Sequence, residues 1–219
     1  MLSSFRQKYD NSECERSSTH IQILENLIKN SNFALVDGNL IAFPTETVYG
    51  LGVDAPNAHA VEKIYRSKGR PADHLLIVHI DSKEGIKYWV DEISAYAFDL
   101  AHSFWPSPMT LILSRSNAVS DVITGGQATV CLRVPDHAIA LALLNSAKIL
   151  GVQGIAAPSA NRFGHVSPTT ANAVRDELSV HLNPQDFILD SSRSTVGVEP
   201  TIINCTTSSP GILRPGPIT

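Results

Sequence analysis

Short apolar segments typical of β-strands alternate along this chain with longer segments whose apolar residues recur at helical spacing. The predicted strands are residues 40–48, 75–80, 109–114, 128–134, 155–157, 187–189, 201–204 and 211–213. The predicted helices are residues 19–30, 57–68, 91–104, 136–150 and 168–178. This alternation predicts an α/β fold built in layers. The short strands late in the chain indicate hairpins, so we expect a mixed sheet.

The chain has 219 residues, of which 43% are hydrophobic and 17% charged, an ordinary composition for a folded water-soluble protein. No linker rich in Gly, Ser or Pro interrupts it, so we expect a single domain over residues 19–219. Residues 1–18 are polar and aperiodic, which predicts a flexible N-terminal arm. Thr19 and Gln22 have the spacing of a capping box, and Pro168 is expected at the first position of the helix that it opens.

The cysteine content favours a cytoplasmic protein. The three cysteines are an odd number without a C-x-x-C pair, and Cys131 and Cys205 lie in strand patterns typical of small buried side chains. No apolar run is long enough for a signal peptide or for crossing a bilayer, so no membrane association is expected. The eight histidines form no zinc-binding pattern, which argues against a structural zinc site.

Three cations gather within five residues, at Arg66, Lys68 and Arg70, although the formal net charge of the chain is −4. The helix that carries these cations is predicted to have Asn57 as its N-cap and to end at Gly69. The cations either complement the helix macrodipole or receive an anion. Judged on these residues alone, the interpretation that the cations complement the helix macrodipole is slightly favoured.

Gly50, Gly52 and Ala55 follow a predicted strand and match the G-x-G-x-x-A dinucleotide fingerprint in its weakest form. The next helix starts only at Asn57, and the next strand offers no acid at the usual spacing for a ribose, so we discount the fingerprint. We expect the two glycines instead to form a tight turn that lets a ligand approach the backbone. The chain contains no Walker-type phosphate loop.

Three further polar positions each have a structural and a functional interpretation. Ser159 lies in APSAN, where the absence of G-x-S-x-G argues against a nucleophile and favours a Pro-Ser turn with Asn161 in a left-handed conformation. Arg133 alternates with apolar neighbours, so it faces either solvent, which the residues alone favour, or a cleft. His79 lies in a strand pattern, where most histidines are satisfied core residues.

Several short motifs follow one another in a fixed order. They are IAFPTETVYGLGVDA at residues 41–55, KGRP at 68–71, SFWPSPMTLIL at 103–113, CLRVPDH at 131–137, APSAN at 157–161, SPTTA at 167–171 and ILRPG at 212–216. In this order and at these spacings they resemble the YrdC-type domain of threonylcarbamoyl-AMP synthases, from about residue 21 to residue 219. The resemblance implies a twisted mixed sheet flanked by helices, with a deep basic cleft on one side.

The resemblance also implies an activity. The expected reaction condenses L-threonine, bicarbonate and ATP, with Mg²⁺ on the nucleotide, into threonylcarbamoyl-adenylate and pyrophosphate for a downstream tRNA-modification machinery. Positioning and charge stabilisation would drive it, with Lys68 and Arg70 as the catalytic residues. The matching nucleotide-binding positions are Lys68, Arg70, His74, Thr129, Ser159, Asn161, Ser167 and Arg214, and the threonine-binding positions are Thr47, His79, Arg133 and Ala157. No general base and no metal-binding residue is identified.

Departures from the family pattern keep other functions open. Pro200 stands in GVEPT where the family reads GVEST, so a hydroxyl and an amide N–H are lost, and His74 stands where asparagine is common. A non-catalytic RNA-binding module with the same cleft is one alternative. The 17 Lys and Arg against 21 Asp and Glu predict that any RNA binding is weak. A nucleotide-binding oxidoreductase built on the glycine pattern is less favoured.

Overall fold

The computed structural model describes residues 11–71, 74–190 and 193–218, with side chains from residue 21 onward. Residues 1–10 of the predicted arm lie outside the described residues. The helices are α1 (Asn11–Val36), α2 (Ala58–Lys68), α3 (Ile86–Trp89), α4 (Ala95–Phe104), α5 (Asp121–Thr124), α6 (Ala138–Ile149) and α7 (Ala171–Leu178). The strands are β1 (Ile41–Phe43), β2 (Gly50–Asp54), β3 (Ile77–His79), β4 (Met109–Ser114), β5 (Thr129–Arg133), β6 (Ile155–Ala156), β7 (Phe187–Ile188), β8 (Thr201–Asn204) and β9 (Gly211–Arg214).

The strands of the described residues form one sheet in the order β7-β1-β2-β6-β3-β5-β4-β8-β9. The pairs β1–β7, β3–β5 and β4–β8 are parallel, whereas the other neighbours are antiparallel. The predicted mixed sheet flanked by helices is therefore confirmed. Parallel neighbours need long crossover connections, and the chain between β3 and β5 supplies one that contains helices and β4.

The two faces of the sheet are covered differently. Alternate strand residues point to opposite faces, and on one face Val78 and Leu132 belong to the main hydrophobic core. On the other face Phe43 and Ile155 pack in a second cluster with residues of α1 and α6. These two helices therefore cover the β1–β2–β6 end of the second face. Its β3–β5–β4–β8 end carries the cavity described below.

Helix α1 extends beyond the predicted helix at both ends. The capping box predicted at Thr19 and Gln22 is wrong, because residues 11–18 contain no glycine or proline and the helix runs through both positions. The helix therefore begins within the segment predicted to be a loose arm. At the other end Leu35 is fully buried in the second cluster, and this packing carries the helix past residue 30.

The ends of α2 are confirmed, whereas the start of α7 is not. Asn57 Oδ1 accepts a hydrogen bond at 3.1 Å from the backbone N–H three residues on, and Gly69 ends α2 with a φ of 62°. Helix α7 has Thr170 as its N-cap, so the expectation of Pro168 at the first helical position is wrong. The Pro168 carbonyl instead accepts a hydrogen bond at 2.8 Å from the backbone N–H of Tyr49.

The glycines expected in a tight turn lie within strand β2 instead. The predicted strand over residues 40–48 ends at Phe43, and the chain re-enters the sheet at Gly50. A Cβ at Gly52 would lie 2.5 Å from Cγ2 of Ile155 and 2.9 Å from the ring of Phe43, so this close packing requires glycine. Because Gly50 and Gly52 lie inside a strand and do not open a helix, the oxidoreductase alternative loses its support.

Candidate active site

A cavity of about 310 Å³ opens on the second face of the sheet. The polar or charged residues of its described lining are Thr45, Thr47, Arg70, His79, Arg133, Ser159, Glu199 and Arg214. The other described lining residues are apolar or small, so three guanidinium groups and one carboxylate stand in largely apolar walls. An apolar cavity with a few convergent polar groups is typical of a small-molecule site.

The register of the sheet explains why these side chains meet. Arg133 on β5 pairs with His79 on β3, and Cys131 pairs with both Ile77 and Ile112. Paired residues project from the same face, as do residues two apart along a strand, so all five belong to the cavity wall. Arg133 therefore faces the cleft and is only 2% exposed. The solvent-facing orientation that its flanking residues alone favoured is wrong.

The cavity brings together most of the residues predicted for the site. The predicted residues in its described lining are Thr47, Arg70, His79, Arg133, Ala157, Ser159 and Arg214. The predicted residues outside that lining are Lys68, His74, Thr129, Asn161 and Ser167. His74 packs against Phe163 with their ring centroids 5.5 Å apart, and Thr129 pairs with Ser114 at the opposite end of β5 from Arg133. Lys68 and Ser167 hydrogen-bond to lining residues.

Arg133 is held by three partners. Its Nη2 lies 2.5 Å from Oε1 of Glu46, its Nη1 donates a hydrogen bond to the Thr47 hydroxyl at 3.0 Å, and its Nε donates one to the Ser107 carbonyl at 3.4 Å. Burial lowers the pKa of Arg133, and the charge of Glu46 opposes that shift. A buried guanidinium that keeps its charge is suited to bind a carboxylate.

His79 presents a neutral imidazole to the same cavity. Burial, and to a lesser degree the charge of Arg133, lower the pKa of His79 to about 3. The ring meets that of Phe43 edge-on at a centroid distance of 5.7 Å. Hydrogen bonding to the backbone of Ile155 and Ile77 opposes this lowering of the pKa, so the imidazole is held by the strands on which the cavity lies.

Lys68 is buried at the end of α2, and its ammonium donates hydrogen bonds to the carbonyls of Ser159 and Asn161. Burial lowers the pKa of Lys68 to about 7, and the charge of Arg70 acts in the same direction. Arg70 donates a hydrogen bond to the Leu75 carbonyl at 3.0 Å and lines the cavity. The carbonyls that accept these hydrogen bonds all lie outside α2. The positions of Lys68 and Arg70 are therefore not explained by an interaction with the C-terminal end of the helix.

Asn161 does not take the left-handed conformation expected for it, because among the described residues only glycines have a positive φ. Its side-chain amide donates hydrogen bonds to the carbonyls of Arg162 and His165 at 2.7 and 2.8 Å. These bonds close the loop without the left-handed residue. Ser159 faces the cavity while Asn161 is buried within the loop.

Two carboxylates of the site, Glu46 and Glu199, were not among the predicted site residues, although both lie in motifs that the sequence analysis singled out. Glu46 contacts Arg133. Glu199 accepts a hydrogen bond from the Ser167 hydroxyl at 2.7 Å, and its other oxygen lies 3.4 Å from Nη2 of Arg214. The available clue is indirect. A buried guanidinium needs a counter-ion, so a predicted cleft arginine directs attention to acids in the neighbouring motifs.

The described residues contain no group of three or more His, Cys, Asp or Glu side chains that could hold a metal ion. In the part of the chain that the structure describes, no helix combines the length and apolarity needed to span a membrane.

An open mixed sheet with an arginine-lined, largely apolar cavity on one face defines the class of this protein, an α/β domain suited to bind a small anionic molecule over its sheet. Residues 34–216 match the sequence model of the Sua5/YciO/YrdC family, which is described as telomere recombination. The chain belongs to this family.

Named relatives of the chain are similar over most of its length. The chain is 47% identical over 180 residues to the threonylcarbamoyl-AMP synthase of Pyrococcus abyssi, which covers 82% of this chain and 51% of the relative. It is 43% identical over 186 residues to the threonylcarbamoyl-AMP synthase of Bacillus subtilis, covering 84% and 52%. The crystal structure of P. abyssi Sua5 complexed with L-threonine matches at a TM-score of 0.80 and 44% identity, over 86% of this chain and 54% of that chain. This chain therefore spans about half the length of these relatives.

Proposed function

We propose that this chain is the catalytic domain of an L-threonylcarbamoyladenylate synthase, a nucleotidyltransferase. It condenses L-threonine, bicarbonate and ATP into threonylcarbamoyl-adenylate and pyrophosphate, and the product supplies a tRNA-modification machinery in the cytoplasm. The observation that carries the proposal is the arginine-lined cavity. It lies in a chain that has the fold of P. abyssi Sua5, a protein crystallised with L-threonine, and 44% sequence identity to it.

We assign the two substrates to different groups of the cavity. Arg133 binds the carboxylate of threonine, and Thr47 and His79 contact the rest of the amino acid. Arg70 and Arg214, which are the other lining arginines, bind the phosphates of ATP. The support for this division is that Thr47 and His79 lie beside Arg133, whereas Arg70 follows the end of α2 next to Lys68.

The reaction requires positioning and charge. The amine of threonine and bicarbonate form a carbamate and release water; a carbamate oxygen then attacks the α-phosphorus of ATP, and pyrophosphate leaves. Lys68 and Arg70 stabilise the charge of the leaving pyrophosphate. Mg²⁺ enters as part of the nucleotide substrate. Because Mg²⁺ on a nucleotide keeps several waters and is held largely by the phosphates, a cage of protein ligands is not needed.

Calorimetric titration of the purified chain tests the proposal. We expect binding of MgATP and of L-threonine. Transfer RNA should bind only weakly and in a salt-sensitive manner, because acids outnumber Lys and Arg by 21 to 17. Binding of tRNA that survives physiological salt, together with no binding of ATP, would support an RNA-binding module instead.

Lys68 gives ATP binding a pH dependence. Its pKa is about 7 in the ligand-free protein, and bound phosphates raise that pKa because opposite charge favours the ammonium form. ATP affinity is therefore highest below this pH and decreases as the pH rises above it, by at most about tenfold per pH unit. Calorimetry between about pH 7 and 9, where the phosphates are already ionised, measures the decrease. Lys68→Ala should remove the dependence, and a flat wild-type profile would contradict the phosphate contact.

Threonine should be preferred over serine. The apolar walls of the cavity, which include Ala157, offer a place for the side-chain methyl group. One buried methyl group gives about 10–200-fold in specificity. The ratio of kcat/KM for the two amino acids, measured by pyrophosphate release, checks this expectation. Equal values would show that the methyl group is not buried.

Pro200 lies in the cavity wall where the family pattern has serine. Thr201 does not replace the lost hydroxyl, because it is 1% exposed and donates its own hydrogen bond to the Ile218 carbonyl at 2.9 Å. One neutral hydrogen bond changes affinity by about two- to tenfold, so Pro200→Ser is expected to lower the KM for threonine by this factor. An unchanged KM would indicate that residue 200 does not contact the amino acid.

A further inference from the structure

Glu46 is a buried charge beside the cavity that the proposed reaction leaves without a role. It is 5% exposed, and apart from Arg133 neither of its side-chain oxygens has a hydrogen-bond partner among the described residues. Glu46 does not belong to the described lining of the cavity, whereas Arg133 does. Glu46 therefore has no direct contact with a ligand in the cavity, and the lining residue that it contacts is Arg133.

We propose that Glu46 is a positioning residue that holds the guanidinium of Arg133 in the orientation that binds the carboxylate of the amino-acid substrate. The inference rests on the proposed function and adds a residue to its machinery. A guanidinium has five N–H donors. The Ser107 carbonyl, the Thr47 hydroxyl and the Glu46 carboxylate each engage a different nitrogen of Arg133. By donor count, each terminal nitrogen keeps one N–H beyond these contacts, and we assign this pair to the two oxygens of the substrate carboxylate.

The backbone around Glu46 is fixed well enough to act as a reference point. The Glu46 carbonyl accepts a hydrogen bond at 2.8 Å from the N–H of Val196, and the Thr47 carbonyl accepts one at 3.0 Å from the N–H of Gly197. The Thr45 hydroxyl also donates to the Val48 carbonyl at 2.7 Å. Residues 45–48 are thus tied both within the loop and to a distant segment, so the carboxylate of Glu46 has little freedom to move.

Glu46 also neutralises the charge of Arg133, and this effect changes the affinity for the substrate carboxylate in the opposite direction. The two effects can therefore be separated by experiment. If Glu46 only neutralised Arg133, its removal would leave an uncompensated guanidinium, and the substrate carboxylate would bind more tightly. If Glu46 positions Arg133, its removal lets the guanidinium turn, and the carboxylate binds less tightly although the net charge of the site has become more positive.

The test uses Glu46→Gln, which keeps the size of the side chain and removes its charge, and Glu46→Asp, which keeps the charge on a shorter side chain. Calorimetry measures the affinity for L-threonine and for MgATP. L-Threoninamide lacks the carboxylate and is expected to bind much more weakly, so its affinity is measured as inhibition of threonine-dependent pyrophosphate release at high concentrations of the amide. We expect both variants to bind L-threonine at least about tenfold more weakly. Their affinities for L-threoninamide and MgATP should stay within about twofold of wild type. If Glu46→Gln does not fold, Glu46→Asp carries the test because it retains the charged pair.

Asp81→Asn is the matched control, because Asp81 accepts a 2.7 Å contact from Lys148 and lies outside the described lining of the cavity. It should leave all three affinities unchanged. Equal or tighter L-threonine binding in Glu46→Gln and Glu46→Asp would overturn the proposal, as would an equal loss for L-threonine and L-threoninamide. If wild type binds neither L-threonine nor MgATP, the proposed function itself fails, and this result is distinct from those outcomes.

Discussion

Lys68→Ala and Arg70→Ala are each expected to weaken ATP binding by about 10–100-fold, because each removes a charge-assisted contact with the phosphates. The two variants should differ in stability. Lys68→Ala leaves the buried carbonyls of Ser159 and Asn161 without their donor, whereas Arg70→Ala gives up one bond to the Leu75 carbonyl. Calorimetry with MgATP measures the affinities, and thermal denaturation measures the stabilities.

Two variants complete this experiment. Arg70→Lys should recover only part of the ATP affinity, because lysine lacks the planar fork of the guanidinium. Arg66→Ala removes a cation from the same helix whose side chain is 74% exposed and pairs loosely with Glu62 at 3.9 Å. Unlike Lys68, which hydrogen-bonds to the lining residue Ser159, Arg66 has no contact with the cavity wall among the described residues, so this variant should bind ATP as wild type does. Unchanged ATP affinity in both Lys68→Ala and Arg70→Ala would contradict the assignment of the phosphates.

Arg133→Ala is expected to abolish measurable threonine binding and to destabilise the fold. Two charge-assisted hydrogen bonds to a carboxylate are worth about 3–6 kcal/mol, or roughly 10²–10⁴ in affinity. The variant also leaves Glu46 buried without its counter-ion, which costs about 3–5 kcal/mol. For a domain of this size that loss lowers Tm by roughly 6–20 °C. Calorimetry and thermal denaturation measure the two effects.

Replacing both members of the pair separates binding from stability. Arg133→Met combined with Glu46→Leu removes the buried charges together, and such replacements are often neutral or stabilising. The double variant should therefore regain much of the lost stability without regaining threonine binding. Threonine binding by this double variant would show that Arg133 does not hold the carboxylate.

Local signals in the sequence predicted the elements whose ends are set locally. Asn57 and Gly69 delimit α2 through their own backbone and side-chain bonds, and both positions were predicted. Gly52 was wrongly assigned to a turn, because the feature that requires glycine at this position lies elsewhere in the chain. The space that excludes a side chain there is occupied by Ile155, on a strand far away in sequence. The length of α1 likewise depends on packing against α6, which no pattern within α1 specifies.

The same distinction applies to the site. Strand alternation limits Arg133 to one of two faces, but only the pairing of β5 with β3 places it beside His79. The resemblance to the family supplied these two residues as candidates, and the register gives the physical reason why they meet. The roles of Glu46 and Glu199 were not predictable, because each depends on partners brought by other segments, Arg133 in one case and Ser167 and Arg214 in the other.

Release of pyrophosphate from MgATP tests the central claim most directly. The purified chain is assayed in degassed buffer with L-threonine and bicarbonate supplied together, singly or not at all. We predict release that requires both substrates and disappears in Arg133→Ala. Absence of release with all substrates present, or release that does not depend on threonine, would contradict the proposed synthesis of threonylcarbamoyl-adenylate.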